Sequence, residues 1–170
     1  LEDEMAISLT KLDPNFKFQV ASTPGGENIT RCFACGTCSA GCPVREIDER
    51  YNPRKIIHMV LLGMKDEVLK SDFIWLCTSC YTCSERCPQD VGITDLMTAL
   101  KNIAVQEGYV HPSYIEQIKA LSSFDGLYEI ADFDNKKREK FGLPKIQRKG
   151  EVLKEIMDRT GISRLAGGEK

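Results

Sequence analysis

The residues able to do chemistry in this chain are its eight cysteines, Cys32, Cys35, Cys38, Cys42, Cys77, Cys80, Cys83 and Cys87. The first four are spaced C-x2-C-x2-C-x3-C and are followed by Pro43. The second four repeat that spacing at an offset of 45 residues and are followed by Pro88. The duplication extends to the tripeptides Thr37-Cys38-Ser39 and Thr82-Cys83-Ser84, and no cysteine is left over. A thiolate is a soft metal ligand, a nucleophile or half of a disulfide, and spacing decides among these uses.

Disulfides fit the pattern badly. They persist in oxidising compartments, whereas the acidic start Leu1-Glu2-Asp3-Glu4 has no basic region leading into an apolar stretch, so no signal peptide is expected there. Structural zinc usually takes two separated C-x2-C knuckles per site. Three cysteines in one tight loop, then a fourth followed by proline, is the bacterial ferredoxin run, in which the fourth cysteine ligates the other cluster. The favoured reading is two [4Fe–4S] clusters. Cluster 1 would take Cys32, Cys35, Cys38 and Cys87, and cluster 2 would take Cys77, Cys80, Cys83 and Cys42. Such sharing forces the clusters close together, as an electron wire requires.

The elements that must hold these loops read as helices. The 34 residues between the motifs begin a helix at Asn52-Pro53, an N-cap followed by proline at the first helical position. Ile56, Ile57, Val60 and Leu61 form its apolar face, and Gly63 stops it. A short helix is expected over Lys65 to Lys70, and Ser71 is expected to cap a further turn through Phe73 to Leu76. Thr94 is expected to cap a helix from Asp95 to about Glu107, with Leu96, Leu100, Ile103 and Ala104 on one face. Pro112 or Ser113 starts another, with Ile115, Ile118 and Leu121 inward, and a last helix covers about Glu151 to Thr160. Residues 1–28 read as extended or irregular, broken at Asp13-Pro14 and Pro24-Gly25-Gly26, with a short strand around Phe16 to Val20 where apolar residues alternate. The expected fold is mainly α, a helical ferredoxin carrying two clusters. Its domains would be 1–28, an extended segment; 29–110, the two-cluster domain; and 111–170, a helical and basic docking extension.

Composition agrees with a globular chain of 170 residues, 42% hydrophobic and 28% charged. A net charge of −2 argues against a general nucleic-acid binder. The longest apolar run, about Met59 to Met64, is far short of the ~20 residues of a membrane span. A cytoplasmic protein is expected. The two histidines, His58 and His111, lie on no membrane helix, which argues against b-type haem, and no Gly-rich phosphate loop supports a nucleotide site.

The stretches Cys32-Phe33-Ala34-Cys35-Gly36-Thr37-Cys38-Ser39, Asn52-Pro53-Arg54-Lys55-Ile56-Ile57 and Trp75-Leu76-Cys77-Thr78-Ser79-Cys80-Tyr81-Thr82-Cys83, with Arg86-Cys87-Pro88, resemble the C subunit of heterodisulfide reductase. The resemblance runs from about Arg31 to Gly108. It implies a small helical protein with two [4Fe–4S] clusters that stands between the A and B subunits of such a complex. Electrons would come from the first of these, which bears flavin and clusters, and pass to the second, which cleaves the coenzyme M–coenzyme B disulfide. All eight ligand positions of the family are present. The cysteine-rich repeats of the disulfide-cleaving partner are absent, so no catalytic residue is expected on this chain.

Beside the cluster loops, Trp75, Tyr81 and Phe33 could cover sulfur or simply pack, and Gly36 should give its loop backbone freedom. Residues 136–149 hold Lys136, Lys137, Arg138, Lys140, Lys145, Arg148 and Lys149 against the single Glu139, a net of +6 that leaves −8 on the rest. That stretch is either a solvated face or an electrostatic dock for an acidic partner. Competing readings are a free ferredoxin-type carrier, the iron–sulfur subunit of a quinone-linked dehydrogenase and a zinc-stabilised interaction module.

Overall fold

A computed structural model of the chain describes residues 12–148 and 150–166. All regular structure among the described residues is helical. The chain forms two compact units that divide between Tyr109 and Val110.

The first unit contains helices α1 (Phe16–Ala21), α2 (Thr37–Ala40), α3 (Pro43–Ile47), α4 (Pro53–Leu61), α5 (Lys65–Leu69), α6 (Thr82–Glu85) and α7 (Ile93–Gln106), with 3₁₀ turns at Ile29–Arg31 and Phe73–Leu76. Its core is built on α4 and α7, against which α1 and α5 pack. Ile56, Ile57 and Val60 of α4 and Leu96, Met97, Leu100 and Ile103 of α7 belong to one buried cluster.

The strand expected at Phe16 to Val20 is instead α1. Phe16 and Val20, four residues apart, are both fully buried, while Phe18 between them is 58% exposed. Helical spacing therefore satisfies the burial that alternation had suggested. The Asp13 side chain starts the turn by accepting the Asn15 N–H at 2.9 Å, and its carbonyl accepts from Phe16.

Helix α4 begins as its sequence suggests: Asn52 Oδ1 accepts the Lys55 N–H at 3.1 Å, and Pro53 occupies the first position. Two other caps are displaced. The Ser71 hydroxyl donates back to the Val68 carbonyl at 2.6 Å and closes α5, so the turn at Phe73 begins from Asp72 without it. Thr94 lies inside the first turn of α7, which starts at Ile93 after Gly92, and the threonine is 1% exposed.

The α7 cap comes from a distant serine. Ser84 Oγ, in the second cysteine motif, accepts the Thr94 N–H at 3.0 Å. Ser39 Oγ, its counterpart in the first motif, accepts the Arg54 N–H of α4 at 3.0 Å and donates to Asn52 Oδ1 at 2.6 Å. Each cysteine loop is thus bolted to the N-terminus of one core helix, where free N–H groups need acceptors.

The second unit comprises α8 (Pro112–Phe124), α9 (Asp132–Lys140), α10 (Glu151–Thr160) and α11 (Ser163–Ala166). His111 Nδ1 caps α8 by accepting the Ser113 N–H at 3.3 Å. Ile118 and Met157 are buried, and the Ser122 hydroxyl reaches Met157 Sδ at 3.9 Å. Helix α10 keeps its expected bounds, but Val152 and Ile156 on its apolar face are 66% and 53% exposed. Helix α9 has no counterpart in the apolar periodicity because it buries no residue; the Ala131 N–H donates to Asp134 Oδ2 at 3.0 Å, closing its first turn.

Replacing either serine should uncap its helix. Ser84→Ala should cost about 1–2 kcal/mol, since Gly92 has no side chain to substitute, and Ser39→Ala about 1 kcal/mol, since Asn52 still serves Lys55. Anaerobic denaturant titration of the cluster-loaded chain measures both. Wild-type midpoints would contradict the role given to these hydroxyls.

Candidate metal centre

The two cysteine loops share one backbone course. Ala34 and Ser79, which correspond at the 45-residue offset, both take left-handed φ angles of 63° and 54°. The next correspondence pairs Gly36, at φ 85°, with Tyr81, at φ 61°. Glycine adopts that geometry freely, whereas a tyrosine held there is strained by an order of 1–3 kcal/mol and must be fixed by its surroundings. The Tyr81 hydroxyl finds Asp95 Oδ1 at 3.4 Å. After this residue each loop turns into a one-turn helix, α2 or α6, that carries the third cysteine.

The thiols are graded by burial along each loop. Cys35 and Cys80 are exposed, whereas Cys38 is buried and Cys83 is half-buried. The Thr37 hydroxyl stands 3.3 Å from Cys35 Sγ, and its hydrogen bonding lowers that thiol's pKa. Thr82, 3.5 Å from Cys80, does the same for its neighbour. Burial raises Cys38 and Cys83.

The eight thiols gather as two sets. A cavity of about 330 Å³, counting its open mouth, is lined by Cys32, Cys35, Cys38 and Cys87, with Phe33, Arg54, Pro88, Val91 and Ile93 among its walls. Cys87 therefore joins the first loop's three cysteines, and its sulfur receives the Val91 N–H at 3.5 Å. On the other side, Cys83 lies close enough to Cys77, Cys42 and Cys80 for their charge to add to the effect of burial on it. Cys38 feels both Cys32 of its own set and Cys83 of the other, so the two sets adjoin there. Among the described residues, no three His, Cys, Asp or Glu side chains crowd together as the ligands of a single metal ion would. Four thiols ranged around a space, with the other four neighbouring one another beside them, suit the donor needs of iron–sulfur cubanes.

Around the second set, Tyr51 is 2% exposed, and burial, with the Cys77 thiol near it, pushes the phenol's pKa upward. Lys101 Nζ donates to the Cys77 carbonyl at 3.2 Å. Neither residue stands out in the sequence: Tyr51 looks like the lead-in to a helix and Lys101 like a polar position on one. Ser39 and Ser84 were visible as duplicated residues, but their caps required the loops to be placed on α4 and α7. Phe33 is 59% exposed on the cavity rim and Tyr81 is 49% exposed, so neither seals its loop, whereas Trp75 packs against the core.

In the basic stretch, Lys145 pairs with Glu139 at 3.0 Å, and Arg148 is engaged by the Phe124 and Tyr128 carbonyls at 3.0 and 2.7 Å. Lys136, Lys137 and Lys140 on α9 are exposed. Lys149 lies outside the described residues. No helix among the described residues is long and apolar enough to cross a membrane.

Comparison with known proteins agrees with this geometry. A family described as the 4Fe-4S dicluster domain matches residues 28–91, the span of both motifs and of α4. The iron-sulfur C2 subunit of CoB–CoM heterodisulfide reductase from Methanocaldococcus jannaschii is 45% identical over 109 residues, which is 60% of this chain and 58% of that protein, so this chain spans less than two thirds of it. The iron-sulfur C subunit of CoB–CoM heterodisulfide reductase from Methanopyrus kandleri is 35% identical over 140 residues, 80% of this chain and 72% of the relative. The C subunit of ferredoxin:CoB-CoM heterodisulfide reductase from Methanosarcina mazei is 34% identical over 135 residues, 77% and 83% of the two chains. With the cysteine loops, the helices that carry them and most of the chain's length aligned to such relatives, the protein belongs to the iron–sulfur C-subunit family of heterodisulfide reductases, the two-cluster helical ferredoxins.

Proposed function

We propose that this chain is the electron-relay subunit of a heterodisulfide-reductase-type complex. It would pass single electrons between a flavin- and cluster-bearing partner and a catalytic partner that reduces CoM-S-S-CoB or an analogous heterodisulfide. The observation that carries the reading is the pair of adjoining thiol sets, each with one outward cysteine and one facing the other set. When bound, [4Fe–4S] clusters supply one-electron redox chemistry at each set.

The chain's own residues make that chemistry directional in space. Cys32, Cys35, Cys38 and Cys87 would hold the first cluster, and Cys77, Cys80, Cys83 and Cys42 the second. The cavity walls and the neighbourhood of Cys83 support that assignment. Exposed Cys35 and Cys80 mark the approaches for redox partners, and Cys38 beside Cys83 marks the crossing between the sets. Val91 and Ile93 keep water from the inner wall of the first site, while Ser39 and Ser84 hold both loops against rigid helices. No other cysteine remains to attack a disulfide. Unoxidised thiolate ligands call for a reducing compartment, which supports a cytoplasmic location.

A shared position in a complex also accounts for the second unit. Lys136, Lys137 and Lys140 on α9, and the uncovered Val152 and Ile156 on α10, offer charge and apolar area to an acidic partner. Exposed interface charges act mainly on the rate of encounter and are screened by salt over about 8 Å at physiological ionic strength.

The anaerobically purified chain should hold about eight iron and eight labile sulfide. It should take up and release single electrons, yet turn over no heterodisulfide unless the catalytic partner is added. Turnover by the chain alone, iron near four, or stoichiometric zinc would overturn the reading. Cys42→Ser should disturb the electron paramagnetic resonance signal of the cluster that Cys77→Ser disturbs, and Cys87→Ser the other one.

Reversing Lys136, Lys137 and Lys140 to Glu should slow assembly with the rest of the complex severalfold at low salt while leaving both cluster spectra intact. Stopped-flow mixing across a salt series measures this, and a wild-type rate with wild-type salt dependence would mark α9 as a solvated face.

A further inference from the structure

Among the described residues, one buried side-chain nitrogen or oxygen has no hydrogen-bond partner: Arg45 Nε. A guanidinium offers only donors, and a buried donor that meets no acceptor leaves the desolvation of a charged group uncompensated. A native structure retains such a group where something other than the polypeptide accepts from it.

The place of Arg45 narrows what that acceptor is. Cys42 is the N-cap of α3, and Arg45 is the third residue of that helix. Positions three apart share one face of a helix, so Arg45 and Cys42 are neighbours. Arg45 Nη1 donates to the Ser39 carbonyl at 3.4 Å, which also receives the Cys42 N–H at 3.5 Å. One guanidinium nitrogen is thus tied to the segment that presents Cys42, while Nε is shielded from solvent beside it. No thiol of the chain, Cys42 included, meets Nε. The other half fills the corresponding place differently. Asp90, at the 45-residue offset from Arg45, is exposed at φ 49°, and the next residue, Val91, donates its backbone N–H to Cys87 Sγ at 3.5 Å. The donor that follows Cys87 is backbone; the donor that follows Cys42 is a side chain.

We propose that Arg45 donates its Nε–H to a sulfide of the [4Fe–4S] centre held by Cys77, Cys80, Cys83 and Cys42, and so raises that centre's reduction potential.

The direction follows from charge. The reduced state of a centre carries one more negative charge than the oxidised state, so a donor on its sulfur favours reduction. A donor that is itself cationic makes the stronger bond, and the fixed fork of a guanidinium can hold Ser39 with one nitrogen and sulfur with another. A lysine has the charge without the fork. Arg45 is therefore a tuning residue: it binds no iron and meets no substrate.

The inference rests on the two-cluster reading and on its ligand assignment, whose failures are told apart from its own by iron content and by cysteine variants. The full chain, purified anaerobically with its clusters, is titrated electrochemically and followed by electron paramagnetic resonance, as wild type, Arg45→Met and Arg45→Lys. Each should hold about eight iron. In Arg45→Met the centre that Cys42→Ser disturbs should need a lower potential for half-reduction, by up to a tenfold change in its oxidised-to-reduced ratio at fixed potential, which is about 59 mV for one electron. Arg45→Lys should move it the same way by less, and the other centre should stay where it is. Unchanged potentials in Arg45→Met at full iron content would overturn the inference and leave the relay reading intact. A wild-type potential in Arg45→Lys would show that charge acts without the Nε bond and would overturn it too. A shift confined to the centre that Cys87→Ser disturbs would overturn the pairing of Arg45 with the Cys42 set, and wild type with about four iron would instead sink the two-cluster reading. Should neither variant hold its clusters, the wild-type chain grown on arginine labelled with ¹⁵N at Nε decides: pulsed electron paramagnetic resonance of the reduced chain should show a coupling from that label at the Cys42 centre. Its absence would mean that ordered water satisfies Arg45, and the inference would fall.

Discussion

The structure of the first unit depends on two serine hydroxyls. A cysteine loop of this spacing has almost no regular structure of its own: its helices α2 and α6 are one turn each, and two left-handed residues precede each of them. What gives such a loop a fixed place is the bond from Ser39 or Ser84 to the N-terminus of a buried helix. A helix start must find acceptors for its free N–H groups, and a loop must find something rigid to lean on. One hydrogen bond meets both needs, and its repetition in the two halves makes the thiol sets near-copies. The cubane chemistry can then be specified by spacing alone, because the spacing is held against a core that does not consist of sulfur.

That division of labour accounts for the gradient of burial along each loop. The third cysteine follows the left-handed turn into the one-turn helix and faces inward, where Cys38 and Cys83 approach each other. The second cysteine sits on the outer bend, so Cys35 and Cys80 remain exposed. Electron transfer needs both features: a short interior crossing and an outer contact for each partner. Full burial of either set would remove a partner's approach, and full exposure would admit water to both. Tyr81 shows the cost of this arrangement, since a bulky residue is held at φ 61° where the first loop has glycine.

Much of this was legible before any coordinates. The cysteine register named the cofactor class because ligand spacing is a local, nearly one-dimensional property. The α4 and α7 faces were legible because their apolar residues recur at helical period over two turns or more, and α10 for the same reason. What stayed hidden was either too short for periodicity or non-local. The six residues of α1 alternate in hydrophobicity, and only the joint burial of Phe16 and Val20 decides for a helix. Ser71 and Thr94 are good caps by residue type, but the first closes the preceding helix and the second was displaced when Ser84, ten residues away in sequence, took the capping role. Helix α9 buries nothing, so it leaves no hydrophobic trace; its charges read as a run before they read as a helix. Tyr51 could not be distinguished from an ordinary aromatic lead-in until it was found buried in the core cluster against which Cys77 packs.

The pseudo-symmetry of the first unit sharpens what a relay has to be. Two identical centres would share an electron evenly and favour neither direction, so a duplicated motif is a poor wire until the copies diverge. Divergence at the ligands themselves would destroy the centres, which confines it to residues that touch sulfur without binding iron. The insert between the motifs supplies α4 and the residue before it, and the segment after the second motif supplies α7 and its own lead-in. These are the equivalent places where Tyr51 and Val91 stand, equally buried and chemically unlike. Cavity-lining Arg54 lies near the first set and Lys101 near the second, so formal charge alone does not distinguish the halves. A fold that fixes both loops by the same serine bond is free to vary this neighbouring position, since packing needs only a buried side chain there.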